Sequence, residues 1–249
     1  MKNDLTDKLF LITGGSKGIG KAIVEKFYKS GAKVAFTYNN NQTSAEKIVN
    51  TLGNNDSRIK CYKLDVRNYD DIEQLIPEIE EDMGEIYGLV NNAGITKDRA
   101  FLRMQPQDWN DVINTNLNGV FNMTKAFGNK AIRRGRGKII NISSVSGLKG
   151  SQGQANYASS KAAIISLTKT LAREFASFGV QINAVAPGFI ATEMVDAMPE
   201  LAKKKINTIV PMKRMGESKE VADAVKFLAS PSSDYITGHT LVIDGGLTA

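Results

Sequence analysis

Along this chain, short continuous apolar runs alternate with longer stretches in which apolar residues recur every three or four positions. The first run, Leu9-Phe10-Leu11-Ile12-Thr13, has the length and continuity of a strand buried on both faces. Gly14-Gly15-Ser16-Lys17-Gly18-Ile19-Gly20 follows it and leads into a helical pattern, Lys21 to Ser30, that Gly31 ends. Lys33-Val34-Ala35-Phe36-Thr37-Tyr38 is a second strand. The alternation predicts further strands near 59–64, 86–91, 138–143, 180–186 and 240–244, and helices near 43–52, 69–83, 107–132, 155–178 and 218–230. Repetition of this kind predicts an α/β, Rossmann-like, doubly wound parallel sheet of about seven strands with helices on both faces. No linker, repeat or low-complexity tract divides the chain, so residues 1–249 are expected to form one domain. The segment 189–216, with Met194, Met198, Met212 and Met215, is expected to form a lid over a substrate.

Composition adds limits rather than identity. Apolar residues make up 42% and charged residues 23% of the chain, as in ordinary globular proteins. Its opening residues are polar and no apolar run reaches membrane-spanning length, so a cytoplasmic protein with no membrane partner is expected. Cys61 and His239 are the sole cysteine and histidine, which excludes zinc sites built from several such ligands; no metal is expected. The formal charge is +6, with basic clusters at Arg133-Arg134-Gly135-Arg136-Gly137-Lys138 and Lys203-Lys204-Lys205. Such clusters suit helix ends, and equally attraction to an acidic substrate or carrier. No motif or interleaved aromatic run points to nucleic acid.

The glycine-rich first turn fits three chemistries. Gly15 to Lys21 follows a nucleotide P-loop as far as the lysine, but Ala22 stands where a hydroxyl should hold magnesium. Gly14-Gly15-Ser16-Lys17-Gly18 also has the spacing of a hydrolase nucleophile elbow, with Asp234 and His239 in suitable chain order. No earlier strand and loop, however, would supply its oxyanion hole. The third reading is a dinucleotide loop, in which Gly14, Gly18 and Gly20 let backbone N–H groups approach a pyrophosphate at a helix N-terminus. That reading fits the strand–helix–strand context. Asn39, in Thr37-Tyr38-Asn39-Asn40-Asn41-Gln42, ends the second strand where an acid would bind the ribose hydroxyls of NAD. With no acid there, and Lys17 in the loop to meet a 2′-phosphate, NADP(H) is the expected cofactor. A non-catalytic NADPH-binding protein on this fold stays open.

Candidate acid–base chemistry centres on Asn156-Tyr157-Ala158-Ser159-Ser160-Lys161. Tyr157 and Lys161, four residues apart, share one helix face. The ammonium is expected to favour the phenolate and lower the tyrosine pKa. With one histidine in the chain, this pair is a natural acid near neutral pH.

Taken in order, Thr13 to Gly20, Asp65-Val66, Asn91-Asn92-Ala93-Gly94, Asn116, Ser144, Tyr157 with Lys161, and Pro187-Gly188-Phe189-Ile190-Ala191-Thr192 resemble the short-chain dehydrogenase/reductase family across essentially the whole chain. The resemblance implies that Gly14, Gly15, Ser16, Lys17, Gly18, Ile19 and Gly20 cradle the cofactor, with Asp65 and Val66 along the adenine. It also implies that Asn92, Ala93, Gly94, Tyr157 and Lys161 line the ribose region, and that Pro187, Gly188, Ile190 and Thr192 hold the nicotinamide. Family spacing, thirteen residues before Tyr157, selects Ser144 as the catalytic hydroxyl; Ser143 would point to the other side of the strand, because alternate residues face opposite ways. Asn116 would mark a helix kink whose freed backbone links Lys161 to solvent through water. Ser144 would bind a substrate carbonyl and Tyr157 would protonate it.

Within the family, the closest subgroups reduce 3-oxoacyl thioesters with NADPH, carried on acyl carrier protein or on CoA, and the carrier-bound substrate is expected. At two positions where carrier-dependent members carry arginine, this chain has Gly135 and Phe178, with Arg133, Arg134, Arg136 or Arg173 as substitutes. The family also implies a homotetramer, with the helices bearing Tyr157 and spanning 107–132 at one interface.

Overall fold

The computed structural model describes residues 5–53, 56–192, 206 and 208–249. Half of the expected lid, including Met194, Met198 and the Lys203–Lys205 cluster, lies outside the described residues.

Seven parallel strands form one sheet: β1 (Leu9–Ile12), β2 (Lys33–Tyr38), β3 (Ile59–Lys63), β4 (Ile86–Asn91), β5 (Gly137–Ile142), β6 (Val180–Pro187) and β9 (Thr240–Ile243). Their spatial order is β3-β2-β1-β4-β5-β6-β9. The order reverses between β1 and β4, so a crevice opens beyond the carboxyl ends of those strands, where such sheets bind their ligands. A second, two-stranded parallel pair joins β7 (Ile190–Ala191) to β8 (Gly216–Glu217) and so ties together two points on either side of the expected lid.

Side chains alternate along each strand, so neighbouring residues feed opposite cores. Phe10 and Ile12 of β1 pack with Ile23, Val24 and Phe27 of α1 (Gly18–Lys29), and with Val221, Val225 and Leu228 of α8 (Ser218–Ala229). Leu9 and Leu11 face the other side. They join Ile72, Ile76 and Ile79 of α3 (Tyr69–Met83) and Met123 and Phe127 of α5 (Gly119–Arg134). Among the described residues the other α-helices are α2 (Gln42–Gly53), α4 (Pro106–Ile113), α6 (Ser146–Lys149) and α7 (Ala155–Phe175).

The helix expected over 107–132 is broken. α4 and α5 are separated by a π-helical turn, Asn114–Asn118, which contains Asn116. Such turns loosen the regular hydrogen-bond ladder and are frequent at functional sites. In α7, Ile165 is buried, Leu167 and Leu171 are half-buried, and Ala162 is exposed, so these apolar positions divide between core and surface.

The parallel sheet also removes the hydrolase reading. Ser16 follows the carboxyl end of β1, whereas His239 precedes β9 and Asp234 binds Lys138 Nζ at 2.7 Å near the start of β5. The serine and its supposed partners therefore sit at opposite ends of the strands.

Candidate active site

Beyond β1, the glycine loop is compact because side chains are absent where it needs them to be. Gly14 has φ +67°, which favours glycine, and a Cβ on Gly20 would stand 2.2 Å from the Gly14 carbonyl oxygen. Lys17 stands at the N-cap of α1, makes no side-chain cap bond and is exposed. Ser16, Gly18 and Ile19 are half-buried around it. A Cβ on Gly18 would meet Thr192 Cγ2 at 3.7 Å, so the segment after β6 arches back over this loop. The Asn92 amide donates to the Thr13 and Gly14 carbonyls, both at 3.0 Å, and Thr13 Oγ1 accepts from the Asn92 and Ala93 N–H groups. Asn92 thus braces the loop with its side chain, a role the sequence reading did not assign.

At the end of β2, Asn39 and Asn40 are exposed, and Asn41 Oδ1 accepts from Ser44 N at 3.0 Å to cap α2. The first turn of α2 holds no acid. Just beyond β3, the neighbour of β2, Asp65 is gripped by Arg67, whose Nε donates to both carboxylate oxygens at 2.9 and 3.0 Å. That guanidinium holds the Asp65 carboxyl below the usual range. Val66 is buried beneath, with its carbonyl accepting from Asn122 at 3.1 Å. Arg67 was not singled out from sequence; the spacing Asp-x-Arg after a strand was the available signal.

The residues expected to carry acid–base chemistry converge beyond β4 and β5. Ser143 N donates to Val185 O and Val145 N to Pro187 O, so the turn carrying Ser144 is tied to the end of β6. Ser143 Oγ donates to Lys161 O at 2.8 Å, whereas Ser144 Oγ accepts from Ser146 N at 3.1 Å and its hydroxyl lowers the Tyr157 pKa. Ser144 faces the phenol and Ser143 the backbone of α7. Tyr157 is half-buried, at the crevice rather than sealed in the interior. Lys161 is buried and donates to the Ile142 carbonyl at 2.7 Å, with Nζ 5.6 Å from the Tyr157 ring centre. Asn116 exchanges two hydrogen bonds with the Ile95 backbone and donates to Ser160 Oγ at 3.2 Å. Ser160 in turn donates to Tyr157 O at 2.7 Å. The Asn116 side chain is thus held by the backbone after β4 and by Ser160 of α7. A Cβ on Gly94 would lie 3.2 Å from Asn116 Oδ1 and 3.7 Å from Lys161 Nζ, so Gly94 borders both.

The electrostatics correct one expectation. Burial raises the Tyr157 pKa, the nearby Asp98 raises it further, and the Ser144 hydrogen bond lowers it in part. Lys161 is not among the causes. Burial instead drives the Lys161 pKa down to about 8. Helical spacing puts both groups on one face, but it cannot show that desolvation outweighs their mutual attraction, or that the ammonium is turned to a strand carbonyl.

The basic cluster also differs from its linear appearance. Arg134 is clamped on Glu80 through both terminal nitrogens, at 2.8 and 2.9 Å, and Arg136 binds Glu85 at 2.9 Å. Arg133 and Arg173 are exposed and make no ion pair among the described residues. Phe178 is 47% exposed.

A dinucleotide crevice bordered by a tyrosine, a serine, a lysine and an asparagine defines a nicotinamide-dependent oxidoreductase of the Rossmann type. Residues 14–248 match a family described as enoyl-(acyl carrier protein) reductase. The chain is 42% identical over 241 residues to a 3-oxoacyl-[acyl-carrier-protein] reductase of Staphylococcus epidermidis, covering 97% of this chain and 99% of that protein. It is 44% identical over 244 residues to the corresponding reductase of Vibrio cholerae, covering 98% of each chain. The same identity, 44% over 244 residues, holds for a 3-oxoacyl-[acyl-carrier-protein] reductase of Synechocystis. The chain belongs to the short-chain dehydrogenase/reductase family.

Proposed function

We propose that this protein reduces 3-oxoacyl thioesters, presented on acyl carrier protein, to 3-hydroxyacyl thioesters with NADPH, as a step of fatty acid synthesis. The observation that carries the reading is the convergence of Ser144, Tyr157 and Lys161 at the edge of the dinucleotide crevice, with Lys161 Nζ 5.6 Å from the Tyr157 ring centre and the Ser144 hydroxyl lowering the Tyr157 pKa. Two hydroxyls converging there suit one carbonyl oxygen. Ser144 orients and polarises it, and Tyr157 delivers the proton as charge develops on it. Protonation at oxygen is what ketone reduction requires, whereas reduction of a carbon–carbon double bond ends in protonation at carbon. The cofactor, when bound, supplies the hydride.

The described residues fit that cofactor. The space that Gly14 and Gly20 leave clear, and the first turn of α1, suit a pyrophosphate. Asp65 and Val66 border the adenine side. Asn92, Ala93, Gly94 and Lys161 border the ribose side, and Pro187, Gly188, Ile190 and Thr192 the nicotinamide side. Lys17, Ser16, Asn39 and the acid-free start of α2 favour a 2′-phosphate. Removing a hydrogen bond to a charged group costs about 1.5–3 kcal/mol. Lys17→Ala is therefore expected to lower kcat/KM for NADPH by roughly 10- to 100-fold while leaving NADH nearly unchanged. Equal losses with both cofactors would remove Lys17 from phosphate recognition.

Lys161 and the π turn at Asn116 restore the proton to Tyr157 through water, supported by the Lys161 pKa of about 8. Of the four arginines that could replace the missing pair, Arg133 and Arg173 are exposed and make no ion pair among the described residues, whereas Arg134 and Arg136 bind Glu80 and Glu85, so the first two are the better placed to meet an acidic carrier. Absorbance loss at the nicotinamide band, with acetoacetyl-carrier protein, acetoacetyl-CoA and crotonyl thioesters compared, tests the reading. The acetoacetyl-carrier substrate is expected to be fastest, with an advantage that shrinks as salt screens the basic surface. A salt-insensitive preference for CoA would transfer the activity to CoA thioesters, and turnover of crotonyl substrate alone would refute ketone reduction.

No helix among the described residues is long and apolar enough to cross a membrane, which accords with action in the cytoplasm. Half-exposed Phe121 on α5 and the exposed Ala162, Ser166 and Lys169 along α7 support assembly of copies through these two helices into a tetramer.

A further inference from the structure

We propose that Asn156 is a positioning residue for the proton donor: its buried amide fixes the first turn of α7, and with it the Tyr157 backbone, against two other segments of the active-site wall. The inference rests on the reading of Tyr157 as the acid. Asn156 is 0% exposed although its side chain is polar throughout. Buried amides of this kind persist when every donor and acceptor is satisfied. Here Oδ1 accepts from Tyr157 N at 2.7 Å, and Nδ2 donates to Lys97 O at 3.1 Å and to Asp108 O at 3.2 Å.

Each partner matters in its own way. The N-cap residue of α7, Gln154, makes no side-chain cap bond, so the first N–H groups of the helix need another acceptor. Asn156 supplies one from inside the helix. Lys97 belongs to the loop that follows β4 and carries Asp98, and Asp108 lies in the first turn of α4. Those two segments are held together by Lys97 Nζ to Asp111 at 2.6 Å and Arg99 Nε to Asp108 at 3.1 Å. One amide therefore joins the helix bearing the phenol to a platform that is already braced. Misplacing a reacting group by about 1 Å can cost on the order of 10² in rate.

In Asn156→Ala, both carbonyls lose their donor and the Tyr157 N–H loses its acceptor. kcat, normalised to sites counted by NADPH binding, is expected to fall roughly 10- to 100-fold with NADPH affinity nearly unchanged. The solvent deuterium isotope effect on kcat is expected to rise, because proton delivery becomes slower; loss of folded protein alone would leave it as in the wild type. A second readout needs no substrate. Phenolate absorbance, taken as the difference from the matching Tyr157→Phe protein, is expected to appear at lower pH in Asn156→Ala as the loosened phenol reaches water. Wild-type protein inactive on every 3-oxoacyl thioester would end the functional reading, yet this titration would still test the tie. Unchanged normalised kcat and isotope effect, or an unchanged titration where the protein has no activity, overturns the inference. Should Asn156→Ala not fold, Asn156→Ser is read in the same way, and failure of both to fold assigns the residue to folding and overturns the positioning role.

Discussion

Tyr157→Phe is expected to lose about 10² to 10⁴ in kcat for 3-oxoacyl thioester reduction, the usual worth of a positioned general acid. The substitution removes one oxygen from a half-buried ring and opens no cavity. Its packing neighbours and the first turn of α7 stay in place. Ser144 keeps its hydroxyl, so the substrate carbonyl retains one donor, and residual activity above background is expected from that contact. NADPH affinity should fall by no more than one lost hydrogen bond to the ribose allows, about 1 kcal/mol, because the glycine loop, Asn92 and the start of α2 are unchanged. Burial places the Tyr157 pKa above its ordinary 10 in the cofactor-free protein, so the acid form dominates throughout the neutral range. Phenolate absorbance assigned by difference from Tyr157→Phe should accordingly appear at higher pH than in a freely exposed tyrosine. Stopped-flow turnover with acetoacetyl substrate checks the rate, and fluorescence titration checks the cofactor. A variant turning over at near wild-type speed would take the phenol out of the mechanism.

Much of this site could be read from the order of residues, because its elements are local. Strand continuity, the glycine-rich turn and the four-residue spacing of Tyr157 and Lys161 each fit within one or two elements. Their periodicities predict the parallel sheet and place Ser144 apart from Ser143. Asn116 was legible through the family resemblance, which implies a helix kink at that position, and the helix does open there into a π turn. What the linear order hides is pairing at a distance. Glu80 lies 54 residues before Arg134 and 50 before Lys130, yet neutralises part of the apparent basic cluster. Asn156 meets Lys97 from 59 residues away. The sign of the Tyr157 pKa change belongs to the same class. Spacing reveals the neighbouring ammonium, but burial is a property of the assembled crevice, and here it is the larger influence.

That balance gives the second large effect, at Lys161. Holding a lysine whose pKa has fallen from its ordinary 10.5 to about 8 means that the folded state disfavours the ammonium. At pH 7 both the folded and unfolded lysine are protonated, and the folded chain bears the full penalty, on the order of 3 kcal/mol. Lys161→Met keeps the length and apolar stem but removes the charge. It also leaves the Ile142 carbonyl without its donor, a loss of about 1–2 kcal/mol. The net expectation is a protein about 1–2 kcal/mol more stable to urea at pH 7, with kcat reduced by at least about 10² because proton resupply and cofactor placement both suffer. The sign with pH follows from proton binding. Between about pH 8 and 10.5 the unfolded lysine holds its proton while the folded one has released it, so wild-type stability gains from rising pH in that window. Lys161→Met lacks the gain, and its advantage should therefore narrow and then reverse as pH approaches 10. Urea unfolding of both proteins at pH 7 and pH 9.5 measures the gap. A variant that is less stable at pH 7, or a gap that does not move with pH, would mean that the fold already compensates the ammonium and that this lysine is not kept at the expense of stability.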